Sequence, residues 1–356
     1  MKNNILVIAP HIPCFDTNAG DYRIFHIIRI LTGKYRVFFF PLIYDRELEV
    51  YKKQLEESGV SVIESYPQVK EKLEEVLEKR SYNTVLFEFY SSAGEYADMV
   101  REYTDAKIIV DSHCLKFIEN ARGGPFPPGD ILEKRKKEEL SVYMKADLVL
   151  TVTPKERDIL KGYMDTEVAD LFTGTVIPGE IRSVTGRNNI IYAGSMNNLH
   201  NVDAVEYFAE DIFPILRDKI PGIKLYVAGS CPVKRIRNLS GDDIVVTGYV
   251  KDLSLYFSSF MVSVVPLRIG AGMKSKIIES MAWGCPVVST AIGSEGMFFE
   301  EGKEITVSDE PCGFADSIAT LYTDKEKWSF FSITGYSAVK ERYSMELMER
   351  RLLEII

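Results

Sequence analysis

Short apolar runs alternate with longer charged segments along almost the whole chain, and this alternation constrains the fold more than any other feature. The runs are rich in Val, Ile and Phe and do not alternate apolar with polar residues, which is typical of strands buried on both faces. The first set of predicted strands covers residues 5–9, 36–43, 60–63, 84–89, 107–110 and 147–152. Amphipathic helical spacing fills the gaps, at residues 21–31, 47–58, 68–79, 130–145 and 154–163. The pattern predicts a parallel sheet covered by helices, the doubly wound α/β class.

The alternation stops once, after an apolar run at residues 168–172, and then restarts. Residues 173–187 are rich in Gly, Thr and Pro and have no helical period, so we interpret them as a linker. Further strands are predicted at residues 190–193, 224–228, 243–247, 261–266, 286–290 and 305–308, with a helix at 201–217. A chain of 356 residues is also long for one core. We therefore predict domains at 1–172 and 188–330, and a C-terminal helical segment, 331–356, that packs back on the first domain.

Composition excludes several classes of protein. The net charge of -9 argues against a nucleic-acid binder, which needs a strongly basic face. The five cysteines form no C-x-x-C pair and the four histidines have no metal-ligand spacing, so we expect reduced thiols and no metal site. No apolar run approaches the roughly 20 residues of a membrane span, and the chain enters its first strand without a signal peptide. We expect a cytoplasmic protein that is able to rest on the inner membrane surface.

Residues 264–296 carry the clearest chemical signal. An apolar strand leads into a loop with Gly270 and Gly272, flanked by the cations Arg268, Lys274 and Lys276. Glycines let a backbone approach a phosphate, and cations beside a helix N-terminus neutralise its charge. Glu279, inside the following helix, is placed to accept hydrogen bonds from ribose or sugar hydroxyls. The layout predicts a nucleotide-sugar site.

This block, from Pro266 to Gly296, resembles the group 1 glycosyltransferases, and four other segments extend the resemblance over nearly the whole chain. They are Pro10–Arg23, Asp111–Arg122, Ala146–Pro154 and Tyr192–Asp203. The resemblance implies the GT-B fold, two doubly wound Rossmann-like domains facing across a cleft. It also implies transfer of a sugar from a nucleotide donor to a hydroxyl of a glycan, lipid-linked glycan or glycoprotein, with retained anomeric configuration. No cofactor and no metal are expected, because protein cations stabilise the leaving diphosphate.

The resemblance also implies roles for individual residues. The catalytic residues it implies are His113, Arg268 and Lys274. The donor-binding residues are Gly20, Gly194, Ser195, Gly270, Ala271, Gly272, Met273, Lys276 and Glu279. The acceptor residues are Asp16, Asn18 and Arg122, the last preceding a Gly-Gly-Pro loop that borders the acceptor. Arg23 stays open between a ligand-facing and a solvent-facing position.

Three positions depart from the family pattern. Ala271 stands where the family often has the first of two glutamates, and Ser195 and Asn201 replace a basic pair. Phosphate binding then depends on Arg268, Lys274 and Lys276. These departures keep a catalytically degenerate binding or scaffold protein open as an alternative, next to a nucleotide-sugar epimerase. A nicotinamide dehydrogenase ranks last, because the first strand leads into Ala-Pro-His-Ile-Pro and not into G-x-G-x-x-G.

Overall fold

The computed structural model describes residues 3–122 and 129–356. The chain divides into two compact units. The first contains Met1–Phe172 and Glu349–Ile356, and the second contains Thr173–Met348.

The first unit is built on a seven-stranded sheet in which every pair of neighbouring strands is parallel. Its strands are β1 (Asn4–Ala9), β2 (Arg36–Pro41), β3 (Ser61–Val62), β4 (Thr84–Glu88), β5 (Lys107–Asp111), β6 (Leu148–Thr151) and β7 (Glu167–Asp170). Their order is β3-β2-β1-β4-β5-β6-β7, so the direction of winding reverses between β1 and β4. The middle strands are buried almost throughout, as their continuous apolar runs predict.

Helices connect these strands. They are α1 (Ala19–Lys34), α2 (Glu49–Glu57), α3 (Val69–Lys79), α4 (Tyr90–Tyr103), α5 (Lys116–Ala121), α6 (Asp130–Tyr143) and α7 (Pro154–Lys161). A single 3-10 turn, Arg46–Leu48, precedes α2. The helical pattern did not reveal α4, whose buried face is formed largely by small residues such as Ala93 and Ala97.

The second unit has a six-stranded parallel sheet. Its strands are β8 (Asn188–Ala193), β9 (Leu225–Ala228), β10 (Ile244–Gly248), β11 (Phe260–Val265), β12 (Val287–Ser289) and β13 (Thr306–Val307). The order β10-β9-β8-β11-β12-β13 repeats the winding of the first sheet, with the reversal between β8 and β11. Two doubly wound parallel sheets confirm the predicted fold class.

The helices of the second unit are shorter on average. They are α8 (Leu199–Tyr207), α9 (Phe213–Lys219), α10 (Lys234–Arg237), α11 (Leu253–Phe257), α12 (Ser275–Ala282), α13 (Ala291–Ser294), α14 (Pro311–Thr323) and α15 (Lys325–Arg342). The last helix, α16 (Met345–Ile355), begins in the second unit, and its residues from Glu349 onward belong to the first. The single helix expected at 201–217 is interrupted by a π-helical turn, Phe208–Ile212. Pro214 follows that turn and has no N–H for the helical ladder, which accounts for the change of pitch.

The segment interpreted as a linker belongs to the second unit. Arg187 is buried there, and its guanidinium donates to the backbone oxygens of Phe257 and Trp283 at 2.7 and 2.9 Å. Gly174 and Thr175 contact the turn between α15 and α16, including a parallel bridge from Thr175 to Ser344. Within the described residues, no helix is both long enough and apolar enough to cross a membrane.

Candidate active site

In doubly wound sheets, ligands bind at the carboxyl ends of the strands where the winding reverses. In the second unit this point lies between β8 and β11. Gly194 directly follows β8, and the glycine-rich loop runs from the end of β11 to α12. The fold therefore places most of the predicted donor-binding residues at the expected edge of this sheet.

Lys276 reaches from α12 to the turn after β8. Its Nζ lies 2.7 Å from Oδ1 of Asn201 and 2.9 Å from the hydroxyl of Tyr192. A Cβ added to Gly194 would lie only 3.0 Å from this amine, so a side chain there would force the amine to shift by a few tenths of an ångström. Burial, and then the neighbouring charge of Lys274, lower the pKa of Lys276 to about 7. Part of this amine is therefore neutral near pH 7, and a bound anion would favour its protonated form.

Lys274 stabilises the glycine-rich loop itself. The residue is buried, and its Nζ donates to the backbone oxygens of Ala271 and Gly272 at 3.1 and 2.7 Å. Gly270 and Gly272 have φ values of 144° and 69°, which a residue with a side chain rarely adopts. Met273, between them and α12, is partly buried. The conformation of this loop is therefore stabilised by the hydrogen bonds that Lys274 donates to its backbone.

Arg268 is held away from a purely phosphate-binding role. Its guanidinium forms a forked ion pair with Asp203 on α8, at 2.6 and 3.1 Å, and lies over the ring of Tyr207. Three cations were predicted to bind phosphate, and Lys276 is the one whose charged end lies against Gly194.

The remaining donor-side residues lie near these groups in the chain. Burial raises the pKa of Glu279 on α12, while a hydrogen bond from Ser275 opposes the shift. Ser195, after Gly194, has its hydroxyl within 2.9 Å of both Asn197 Oδ1 and Ser230 Oγ. Ser195 thus shapes the turn by hydrogen bonds where the family has a cation.

In the first unit the winding reverses between β1 and β4. Asn18 caps α1, because its Oδ1 accepts from the backbone N–H of Asp21 at 2.9 Å. Asp16 accepts a hydrogen bond from the Tyr51 hydroxyl at 2.7 Å. Arg122 ends α5, and the Gly123–Pro125 run that follows it lies outside the described residues. The first turn of α1, with Gly20, presents backbone N–H groups at this edge of the sheet.

His113 is fixed beside that helix N-terminus. Its Nε2 lies 2.7 Å from Oε2 of Glu88, and its ring stacks on Phe89 with centroids 3.8 Å apart. Both His113 and Phe89 have left-handed φ values, 57° and 67°, which are uncommon for such residues. A Cβ on Gly20 would lie 3.5 Å from Nδ1 of His113. The structure therefore brings two separately predicted site residues, Gly20 and His113, close together.

Arg23 is neither ligand-facing nor solvent-facing. It is buried, and its guanidinium donates to both carboxylate oxygens of Asp111, at 2.7 and 3.2 Å, and to the backbone oxygen of Leu171 at 2.8 Å. Sequence reasoning left this residue open, and the structure makes it the internal counter-ion of Asp111.

Two carboxylates and an imidazole thus meet at the ends of β4 and β5. Ligand atoms of Glu88, Asp111 and His113 all lie within 4.8 Å of one another. A metal ion would need such donors, but here Arg23 already neutralises Asp111 and His113 occupies one oxygen of Glu88. The cluster is charge-compensated by protein groups.

Sequence reasoning missed Glu88, Tyr192 and the pairing of Asn201 with Lys276. The sequence did contain a signal for Glu88. It is a carboxylate at the end of β4, a largely apolar strand, and β4 lies beside β5, which ends in Asp111. The contacts of Lys276 bring together residues 75 and 84 positions apart, which no local pattern encodes.

Comparison with known families gives this geometry a context. Residues 187–324 match the family model described as Glycosyl transferases group 1. The match spans most of the second unit and less than half of the chain. Among curated proteins, a Klebsiella pneumoniae protein described as an uncharacterized 44.6 kDa protein in the cps region is 23% identical over 164 residues. That match covers 44% of this chain and 42% of the Klebsiella protein.

Solved glycosyltransferase structures share the fold over almost the full chain. Sucrose-phosphate synthase from Thermosynechococcus elongatus superposes with a TM-score of 0.78 at 16% identity, covering 99% of this chain and 98% of its own. Anabaena HepE, solved with UDP and glucose, gives 0.75 at 13% identity with the same coverage. The pneumococcal O-GlcNAc transferase GtfA, solved with UDP and GlcNAc, gives 0.76 at 10% identity, again covering 99% and 98%. The chain therefore has the GT-B fold.

Proposed function

We propose that this protein is a group 1 glycosyltransferase that transfers a sugar from a uridine diphosphate donor to a hydroxyl acceptor, with retention at the anomeric carbon. The observation that carries the proposal is Lys276, an enclosed amine held by Tyr192 and Asn201 against Gly194. This arrangement supplies a cation where the family's basic pair is missing. Uridine is favoured because HepE and GtfA, which share the fold, were solved with UDP.

The diphosphate would meet three groups in the second unit. Lys276 neutralises one phosphate, the loop around Gly270 and Gly272 approaches the other, and the N-terminus of α12 faces the same charge. Glu279 accepts hydrogen bonds from the ribose hydroxyls. Because these groups stabilise the leaving diphosphate, we expect no metal requirement.

On the acceptor side we keep Asp16, Asn18 and Arg122 as a proposal, although the first two already have protein partners. The acceptor we propose is a growing polysaccharide or lipid-linked glycan, consistent with the cps-region origin of the Klebsiella relative. The five cysteines are all free, which suits a reducing compartment such as the cytoplasm.

Binding of UDP tests the donor assignment most directly. Titration calorimetry with UDP, GDP and ADP on the whole protein should show selective binding of UDP. Glu279→Gln should weaken it about tenfold to a hundredfold, the loss of a hydrogen bond to a charged group. Glu180→Gln, at an exposed glutamate of the same unit, is the matched control and should bind as the parent does.

Hydrolysis or transfer of UDP-sugars then separates an enzyme from the alternative that Ala271, Ser195 and Asn201 keep open. Binding without turnover, over a panel of sugars and glycan acceptors, would support a degenerate scaffold instead. Failure to bind any nucleotide would overturn the site assignment itself.

A further inference from the structure

The buried pair of Glu88 and His113 determines which nitrogen of the histidine faces a ligand. Nε2 of His113 points into the protein and lies 2.7 Å from Oε2 of Glu88, within hydrogen-bond distance. Stacking on Phe89 prevents the ring from turning, and Gly20 leaves room beside Nδ1. Only Nδ1 therefore faces the first turn of α1.

The charges around the pair limit where its proton lies. The charge of Asp111 is already compensated by Arg23. Among the described residues in contact with Glu88, only His113 can carry a compensating positive charge. Glu88 has no exposed surface, and its Oε1 is buried without a hydrogen-bond partner in the described part of the chain. An ionised carboxylate in that position is costly unless its partner carries a positive charge. Burial raises the pKa of Glu88, the bond from His113 opposes this, and the neighbouring Asp111 carboxylate adds to it.

Two arrangements leave the pair with no net charge. Either Glu88 is protonated and donates to Nε2, or Glu88 is ionised and faces an imidazolium. In both arrangements Nδ1 carries a hydrogen, because the imidazole has its second proton there. The alternative, an ionised Glu88 with a neutral histidine protonated only at Nε2, buries a net negative charge next to Asp111.

We infer that Glu88 is a positioning residue that keeps the proton on Nδ1 of His113, so that this histidine presents a hydrogen-bond donor to a ligand beside Gly20. The inference rests on the proposed function for the identity of the ligand but not for the state of the pair. Its consequence is that His113 donates from Nδ1 in its neutral form as well as in its charged form. The other charged groups facing the pair are Asp111 from β5 and Arg23 from α1.

Long-range ¹H–¹⁵N spectroscopy of the histidine rings tests the inference without ligand or activity. The chain has four histidines, and His113→Asn identifies the signal. At pH 8 we expect Nδ1 of His113 to be protonated. A ring protonated at Nε2 alone would overturn the inference.

Variants of Glu88 test whether this residue is what keeps the proton on Nδ1 of His113. In Glu88→Leu the partner of Nε2 is lost, so a neutral His113 ring is free to carry its proton on Nε2, and protonation of Nδ1 at pH 8 should fall. Glu88→Gln keeps the volume, and its amide N–H can donate to Nε2, so Nδ1 should stay protonated in part. Glu102→Gln, an exposed glutamate of the same unit, should change nothing. An unchanged His113 signal in folded Glu88→Leu would sink the idea.

Kinetics distinguishes positioning from general structural damage. Glu88→Leu should lower kcat by up to about a hundredfold, as misplacement of a reacting group does, with little change in donor KM, and Glu88→Gln should lower it less. A matched loss of donor affinity and thermal stability instead would indicate a purely structural role for Glu88. Absence of transfer by the parent protein would overturn the proposed function alone, since the spectra report the pair directly.

Discussion

At the scale of single residues, the site depends on the contacts that three basic side chains make with the rest of the protein. Lys276 is enclosed and held by neutral oxygens, Arg268 is neutralised by Asp203, and Lys274 is used to shape a loop. The number of cations in the motif therefore overstates the charge available to a diphosphate. We therefore expect ligand binding and protonation to be linked at Lys276.

Nucleotide affinity should depend on pH through Lys276. Its pKa of about 7 in the free protein lies below the ordinary 10.5, so the amine is largely neutral above pH 7. A bound diphosphate favours the charged form and raises the pKa. Binding above pH 7 therefore takes up a proton, and UDP affinity should fall by up to about tenfold per pH unit between pH 7 and 9.

Calorimetry across that range measures the effect. Lys276→Met should bind UDP weakly at every pH and lose the slope. Lys340→Met, at an exposed lysine of α15, should keep both the affinity and the slope. A parent protein whose UDP affinity is flat from pH 7 to 9 would contradict the assignment of Lys276.

At the scale of elements, the approach of α12 to β8 is set by one glycine. Gly194 allows the side chains of Lys276 and Asn201 to approach within 3.0 Å of where a Cβ would stand. A side chain there must push both groups away from the end of the strand.

Gly194→Ala should lower the free energy of unfolding of the second unit by about 1–3 kcal/mol, the usual cost of overpacking. UDP affinity should fall with it, because Lys276 is displaced. Gly179→Ala, where no atom lies within 4 Å of the added methyl, should change unfolding by less than about 0.5 kcal/mol. Urea titrations followed by tryptophan fluorescence compare the two; equal stabilities would contradict the packing argument.

At the scale of the whole molecule, the two units have separate spectroscopic reporters. Both tryptophans, Trp283 and Trp328, lie in the second unit, and Trp328 is buried with its indole N–H on the Met261 oxygen at 2.7 Å. Tryptophan fluorescence therefore follows the second unit, whereas far-ultraviolet circular dichroism follows both.

The buried pair of Arg23 and Asp111 provides a test confined to the first unit. Asp111→Asn leaves the guanidinium buried beside a neutral amide and should cost about 3–5 kcal/mol. In urea, circular dichroism should then show an early transition that tryptophan fluorescence does not. Asp105→Asn, at an exposed aspartate of the same unit, should leave both transitions in place. Coincident transitions in Asp111→Asn at the parent's midpoint would refute the assignment.

Much of this molecule could be predicted from the sequence because the determinants are local. Continuous apolar runs indicated the strands of both sheets to within a few residues, and the glycine-rich loop indicated its own backbone freedom. Helices with weak periodicity were harder, since α4 packs small residues and the π turn before α9 depends on a proline in a tertiary setting.

Tertiary structure alone decided the chemistry of the side chains. Arg23 and Asp111 are 88 positions apart, and Glu88 and His113 are 25 apart, so the sequence contains no local sign that they pair. The sequence by itself determined two doubly wound sheets, because hydrophobic burial follows patterns within each element. Which cations remain for a ligand, and which nitrogen of His113 faces it, depends on charge compensation between distant elements, and this exists only once the chain is folded.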